Sequence, residues 1–229
     1  MSELAFDCTG ATAGYDAASP TIVFRLRIAE TTGERVNAIA LRCQIRIEPL
    51  KRRYSDEEGA RLGDLFGDRS RWGDTMKPMQ FANVAQMVPS FTGSIDIDVP
   101  VPLTYDFEVA TAKYFHGLDD GEIPFILLFS GTTFLKGETG FSIEQIPWHK
   151  ETLYRLPVAV WREAMDVHFP NSAWIRIQTG TLDALMRFKS KLTIPTWDET
   201  LEALLRQAGE PGPGTNGGGR TLAPTGEAP

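Results

Sequence analysis

Cysteine and histidine are scarce in this sequence, with two cysteines and three histidines among 229 residues. Cys8 and Cys43 form no CxxC, and His116, His149 and His168 show neither HExxH nor HxH spacing. The usual zinc ligand sets are therefore absent. Two widely spaced cysteines also make no secreted disulfide framework. Both lie in apolar, strand-like sequence and are expected as reduced core thiols. Long apolar runs are missing too. The longest, Ile123–Phe129, has seven residues, against the roughly 20 that a membrane helix needs. The N-terminus, MSELAFDCTGATAGYD, has neither a basic n-region nor an apolar h-region. A cytoplasmic location with no integral membrane segment is the expectation.

Phosphate-cradling and nucleophile motifs are also lacking. No GxxxxGK[ST] occurs, and no strand–GxGxxG–helix unit. Around Ser130, a nucleophile elbow would need glycines where Leu128 and Thr132 stand. The run Gly217–Gly219 lies in a Gly/Pro-rich tail, where it signals a linker. No cofactor is expected.

What is present is core-forming sequence: 42% hydrophobic and 23% charged residues, with 13 Phe, 5 Trp and 5 Tyr. Net charge is −7, which argues against a nucleic-acid binder. The charge is unevenly placed. Arg25, Arg27, Arg35, Arg42, Arg46, Lys51, Arg52 and Arg53 face only Glu30, Glu34 and Glu48 within residues 25–53. A basic patch on an acidic chain meets an acidic partner, or an acidic patch of its own domain.

Period-two alternation marks strands at 21–28, with Ile22, Phe24, Leu26 and Ile28 on one face, and at 38–48, with Ile39, Leu41, Cys43, Ile45 and Ile47. Thr32-Gly33-Glu34 can turn between them, so an antiparallel pair with an arginine-bearing solvent face is expected. Ser55-Asp-Glu-Glu58 reads as a capping box opening a short helix to Phe66. Residues 67–79 read as a loop. Strands follow at 80–88, 95–99, 105–109, 123–134 and 141–146, and the apolar run 123–134 is expected to be covered on both faces. Helical period takes over from Pro157 and ends at Phe169-Pro-Asn171. A short strand is expected at 174–177. Thr181 and the capping box Thr196-Trp-Asp-Glu199 open two more helices. The fold class is α+β: an antiparallel β-sandwich-like sheet core in the N-terminal two-thirds, with two or three C-terminal helices packed on it. One domain over 1–208 is expected, then a disordered tail over 209–229.

The most site-like stretch is Lys113–Glu122. It gathers His116 with Asp119, Asp120 and Glu122, a set able to act as an oriented general base or as a metal site. The bland reading is an acidic turn with a solvated imidazole. His168 closes a helix, where the dipole favours a cation. Arg25, Arg27, Arg42, Arg46, Arg52 and Arg53, with Trp72, are the partner-binding candidates. Alternatively the arginines pair internally with Asp96, Asp98, Asp106 and Glu108. Arg69, Arg71, Tyr154, Trp161 and Trp174 could add to an aromatic hot spot or serve the core.

Several stretches, taken together, resemble a bacterial family of unknown function. They are Thr104–Ala110 with Lys113-Tyr-Phe115, Gly121–Thr132, Ile146–Glu151 running into Tyr154–Glu163, Phe169–Trp174, and Leu192–Trp197. The resemblance spans most of 20–205. Genes of that family often lie near those of NiFe hydrogenases. It implies a hydrogenase-associated role. Together with the missing catalytic signature and the arginine-rich strand face, it leads to the expectation of a non-enzymatic accessory protein beside a redox enzyme, with hydrogenase subunits or maturation factors as protein partners. The alternatives are an enzyme or metal-binding protein centred on His116, and a self-associating structural subunit.

Overall fold

The computed structural model describes residues 3–103, 109–137, 140–170 and 177–210. Residues 211–229 of the expected tail and most of the strands expected at 105–109 and 174–177 lie outside the described residues. The chain divides into two compact units, Met1–Ser172 and Ala173–Pro229.

The first unit is two antiparallel sheets face to face. Strands β1 (Leu4–Ala13), β2 (Thr21–Glu30) and β6 (Ser94–Pro102) form one, in the order β1-β2-β6. The other runs β4 (Met79–Val88), β3 (Arg35–Ile47), β7 (Glu122–Gly137) and β8 (Gly140–Gln145). The two-residue β5 (Phe91–Thr92) pairs with β3, and β9 (Glu151–Pro157) pairs with β7. Alternation dictates the burial. Ile22, Phe24, Leu26 and Ile28 of β2 point into the core, as do Ile39, Leu41, Cys43, Ile45 and Ile47 of β3. Aromatic contacts lock the sheets together. Phe24 meets the edges of Phe125 at 5.8 Å and Tyr154 at 6.0 Å. Phe6 stacks on Phe129 at 4.3 Å. The fully buried Phe24, Phe125 and Phe129 each contribute roughly 1.5–3 kcal/mol.

The pairing of β2 with β3 is corrected. Each is a central strand of its own sheet, and its two edges are taken by other strands. Alternation shows which face of a strand is buried, not which neighbour it bonds. The link between them is a crossover held by Glu30. Its buried carboxylate accepts from the Thr32 and Glu34 amides at 3.0 and 2.9 Å and from the Glu3 amide at 3.2 Å. Gly33 supplies the positive φ of 86° that the bend requires.

Edge chemistry explains the prolines. Pro100 and Pro102 sit within β6, at the rim of the three-stranded sheet, where a missing amide costs little. In β4 a bulge leaves Phe81 between the pairs Ile45–Ala82 and Arg46–Gln80. The bulge sends Phe81 inward against Phe125 at 4.9 Å. The Gln80 side-chain Nε2 then donates to the Ala82 carbonyl at 2.8 Å, satisfying backbone that the ladder gives up. Gly131 of β7 has φ 136°, and a Cβ there would lie 2.0 Å from the Ala40 carbonyl oxygen.

Helices cover the ends. The capping box closes as expected on α1 (Asp56–Phe66): Glu58 N donates to Ser55 Oγ and Ser55 N to Glu58 Oε2, both at 3.1 Å. The stretch expected as loop holds α2 (Trp72–Thr75), a single turn. Helix α3 (Val109–His116) starts at the last residue of the strand expected at 105–109 and runs into the stretch from Lys113 whose bland reading is an acidic turn, and its Tyr114 and Phe115 are fully buried. Helix α4 (Val158–His168) starts after Pro157 and packs on β1 and β2. His168 at its end reaches the Ala17 carbonyl at 2.9 Å.

The second unit holds α5 (Thr179–Lys191) and α6 (Trp197–Ala208). Helix α5 begins two residues before the expected Thr181. Thr196 caps α6, accepting from Glu199 N at 3.2 Å, and Gly209 ends it at φ 83°. No helix is long and apolar enough to cross a membrane among the described residues.

Candidate partner-binding face

The His116 region is built as a clamp on the backbone. His116 is the last residue of α3, exposed on one side and set edge-on against Trp161 at 4.9 Å. Partial burial holds its imidazole below the ordinary pKa. The link to β7 and the first residue of that strand turn four carbonyls toward arginines. Arg61 Nε donates to Gly117 O at 3.1 Å, Arg162 Nη2 to Leu118 O at 2.8 Å, and Arg52 Nε to Glu122 O at 3.1 Å. Arg52 Nη2 also bonds the Asp120 carbonyl.

The carboxylates of this stretch point to separate partners. Asp119 pairs with Arg61, and Asp120 accepts from the Gly121 amide at 2.6 Å. Glu122 stands exposed at the start of β7. None of the three bonds the imidazole among the described residues. No group of three or more metal-binding side chains forms among them either.

Arg52 and Trp72 are structural. Arg52 lies in a buried ion pair with Glu58 at 2.8 Å. Trp72 is buried against Tyr54 at 5.3 Å and Phe66 at 6.0 Å, and its Nε1 donates to Gly67 O at 3.0 Å. Arg53 is exposed and makes no ion pair among the described residues.

The remaining arginines fall on two sheets. On the three-stranded sheet, Arg25 meets Asp98 at 3.1 Å and Arg27 meets Asp96 at 2.8 Å, so that face neutralises itself. These are the cross-strand neighbours in the β2–β6 register. Asp106 and Glu108 lie outside the described residues. Arg42 and Arg46 sit on β3, in the six-stranded sheet, exposed and without an ion pair among the described residues.

Register defines the surface around them. Beside Arg42 stand Ala85 of β4 and Ser130 of β7; beside Arg46 stand Gln80 and Ile126. Between the two arginines, the Gln44 amide donates to Gln80 at 2.6 Å. Ile126 neighbours Leu153 of β9, which is 60% exposed. Met87 of β4 and Ile143 of β8, 61% and 62% exposed, lie farther along the same face. Outward Ile126, Leu128 and Phe134 are half-buried rather than covered. Lys136 and Arg155 are exposed on this face as well, against Glu151. The arrangement is a cationic column beside an apolar one. The charge excess over residues 25–53 marks the arginines in the sequence. The outward apolar residues were hidden because an apolar run on both faces reads as a covered strand.

The whole-chain comparison is decisive for family. Residues 1–213 match the model of a family of unknown function, DUF6084. The chain belongs to this family. No curated protein matches. Solved structures give distant likenesses. A β-glucosidase from Kluyveromyces marxianus is 8% identical at TM-score 0.27, over 67% of this chain and 15% of its own. A candidate ApaA protein from Bordetella pertussis is 14% identical at 0.27, over 68% and 95%. A candidate late embryogenesis abundant protein, At2g46140.1, is 11% identical at 0.31, over 69% and 72%. At such TM-scores none of them carries an argument about this DUF6084 member.

Proposed function

We propose that the protein is a non-enzymatic accessory protein of the cytoplasm that binds a protein partner, in the setting of a redox enzyme such as a NiFe hydrogenase. The observation that carries the binding role is the outer face of the six-stranded sheet, where Arg42 and Arg46 stand exposed, with no ion pair among the described residues, beside exposed apolar residues in a chain of net charge −7. Arg25 and Arg27 are answered by cross-strand aspartates, whereas no described carboxylate pairs with Arg42 or Arg46. Cations left open next to Leu153 offer a partner both steering and desolvated contact. The family resemblance supports the redox setting, through genes neighbouring those of NiFe hydrogenases. The dispersal of the His116 carboxylates favours binding over catalysis.

Native co-purification tests the reading. Protein tagged on the C-terminal tail and drawn from its own host is expected to bring hydrogenase subunits or maturation factors, released as salt rises. Recovery of the protein without either would sink the accessory role.

A further inference from the structure

We propose that the outer face of the six-stranded sheet seats an acidic amphipathic helix of the partner. This rests on the accessory reading above and names the class of element bound.

The choice of a helix follows from backbone accounting. Strands β3 and β7 are bonded on both edges, so their outer face offers side chains and no free amide or carbonyl ladder. An occupant must bring a backbone already satisfied within itself, which a helix does and an added strand does not. A strand would go to a sheet edge instead.

The acidic character follows from charge. Arg42 and Arg46 project from one face of β3, with Lys136 and Arg155 exposed on the same sheet face. Elsewhere a chain of net charge −7 repels an acidic segment. Carboxylates are thus steered to this sheet and away from the rest of the surface.

Amphipathicity and register follow from the two columns. Arg42 and Arg46 are four residues apart, about 13 Å at the strand rise. A helix lying along β3 covers that span in about nine residues. Carboxylates two turns apart, at i and i+7, share one helix face about 10–11 Å apart and come within side-chain reach of both arginines. The adjacent stripe of the helix would then rest on Ile126, Leu128 and Leu153, which the register places on the neighbouring strands.

The test uses the full chain and a fluorescein-labelled 18-residue helical peptide with a leucine stripe flanked by glutamates. Its partner probe carries lysines in place of the glutamates. Anisotropy should show the glutamate peptide binding and the lysine peptide failing to bind. Arg42→Glu with Arg46→Glu should weaken the glutamate peptide at least tenfold, and Leu153→Ser should weaken it several-fold. Lys113→Glu, exposed on α3 and off the sheet, should leave it unchanged, and thermal melts should show all variants folded. Equal binding of the two peptides, or no loss in the double charge reversal, would overturn the proposal. If that double reversal abolishes native partner capture while no peptide binds, the helix falls and the accessory reading stands. If the peptide binds as expected but the host yields no partner, the helix seat stands and the accessory reading falls.

Discussion

The Arg52 guanidinium meets the Glu58 carboxylate at 2.8 Å, with their side chains only 8% and 6% exposed. The pair joins three pieces of chain. Glu58 closes the cap of α1 and accepts the Asp119 amide at 2.9 Å, while Arg52 holds the link into β7. Breaking such a pair strands a buried charge, at a cost of about 3–5 kcal/mol. Glu58→Ala should therefore lower the urea midpoint sharply, and adding Arg52→Met should recover part of the loss. A double variant as unstable as the summed singles would show that the two groups act independently.

Gly131 allows a second sharp test. Its φ of 136° and the 2.0 Å approach of the Ala40 carbonyl leave no room for a side chain at the centre of the six-stranded sheet. The backbone strain of a non-glycine residue there costs about 1–3 kcal/mol before the clash is added. Gly131→Ala should destabilise by about 3 kcal/mol or more in chemical denaturation. Gly63→Ala, in a helix with open space around it, serves as the control and should be neutral or slightly stabilising. Equal midpoints for the two variants would refute the steric account.

Glu30 ties stability to acid. Burial alone would raise its carboxyl, but the hydrogen bonds from Thr32 and Glu3 among its donors outweigh burial and hold it below the ordinary 4.5. Glu58 is held low in the same way, by Arg52, Asp119 and Ser55 against burial. For groups with lowered folded pKa values, the stabilisation is complete above the unfolded value and is lost as pH falls through the folded one. Stability should thus hold near neutrality and decline progressively below about pH 5. Glu30→Gln should flatten that decline, as measured by urea midpoints between pH 3 and pH 7 at roughly half-unit steps. An unchanged acid slope in the variant would remove Glu30 from the account.

Much of this fold was legible in the sequence, and the reasons separate cleanly. Local rules gave the faces of β2 and β3, the α1 capping box and the Thr196 cap, because side-chain period and capping act within a few residues. Partnership between strands did not follow, since β2 alternates identically whether it bonds β3 or β6. Helix α3 was missed because its burial is spent on Tyr114 and Phe115, adjacent residues that make no long stripe. The inward turn of Phe81 depends on a bulge that no pattern in 80–88 announces. The arginines of the candidate face were visible as a charge excess. Their division into paired and open sets was not, because Arg25 and Arg27 find their aspartates 73 and 69 residues away.

The two thiols give a last prediction, which bears on the core between the sheets. Cys8 points inward from β1 and Cys43 from β3. Burial pushes Cys8 up to about 11 and Cys43 up to about 12. The thiolate is the reactive form, so both should resist Ellman's reagent at neutral pH in the native protein and react together once it is unfolded. The sign with pH is opposite to that of the carboxylates. Groups with raised folded values stabilise fully below the unfolded value, ordinarily 9.0 for these thiols, and lose that contribution as pH rises toward 11 and 12. Unfolding midpoints should therefore fall on the alkaline side, and Cys43→Ser should not mimic the effect of alkali at neutral pH. The serine hydroxyl carries no charge there, and its cost is that of a buried polar group, roughly 1–3 kcal/mol. Rapid native labelling of either cysteine would mean that the sheets part readily at that end of the sandwich. A tightly packed Phe6–Phe129 stack argues that they do not.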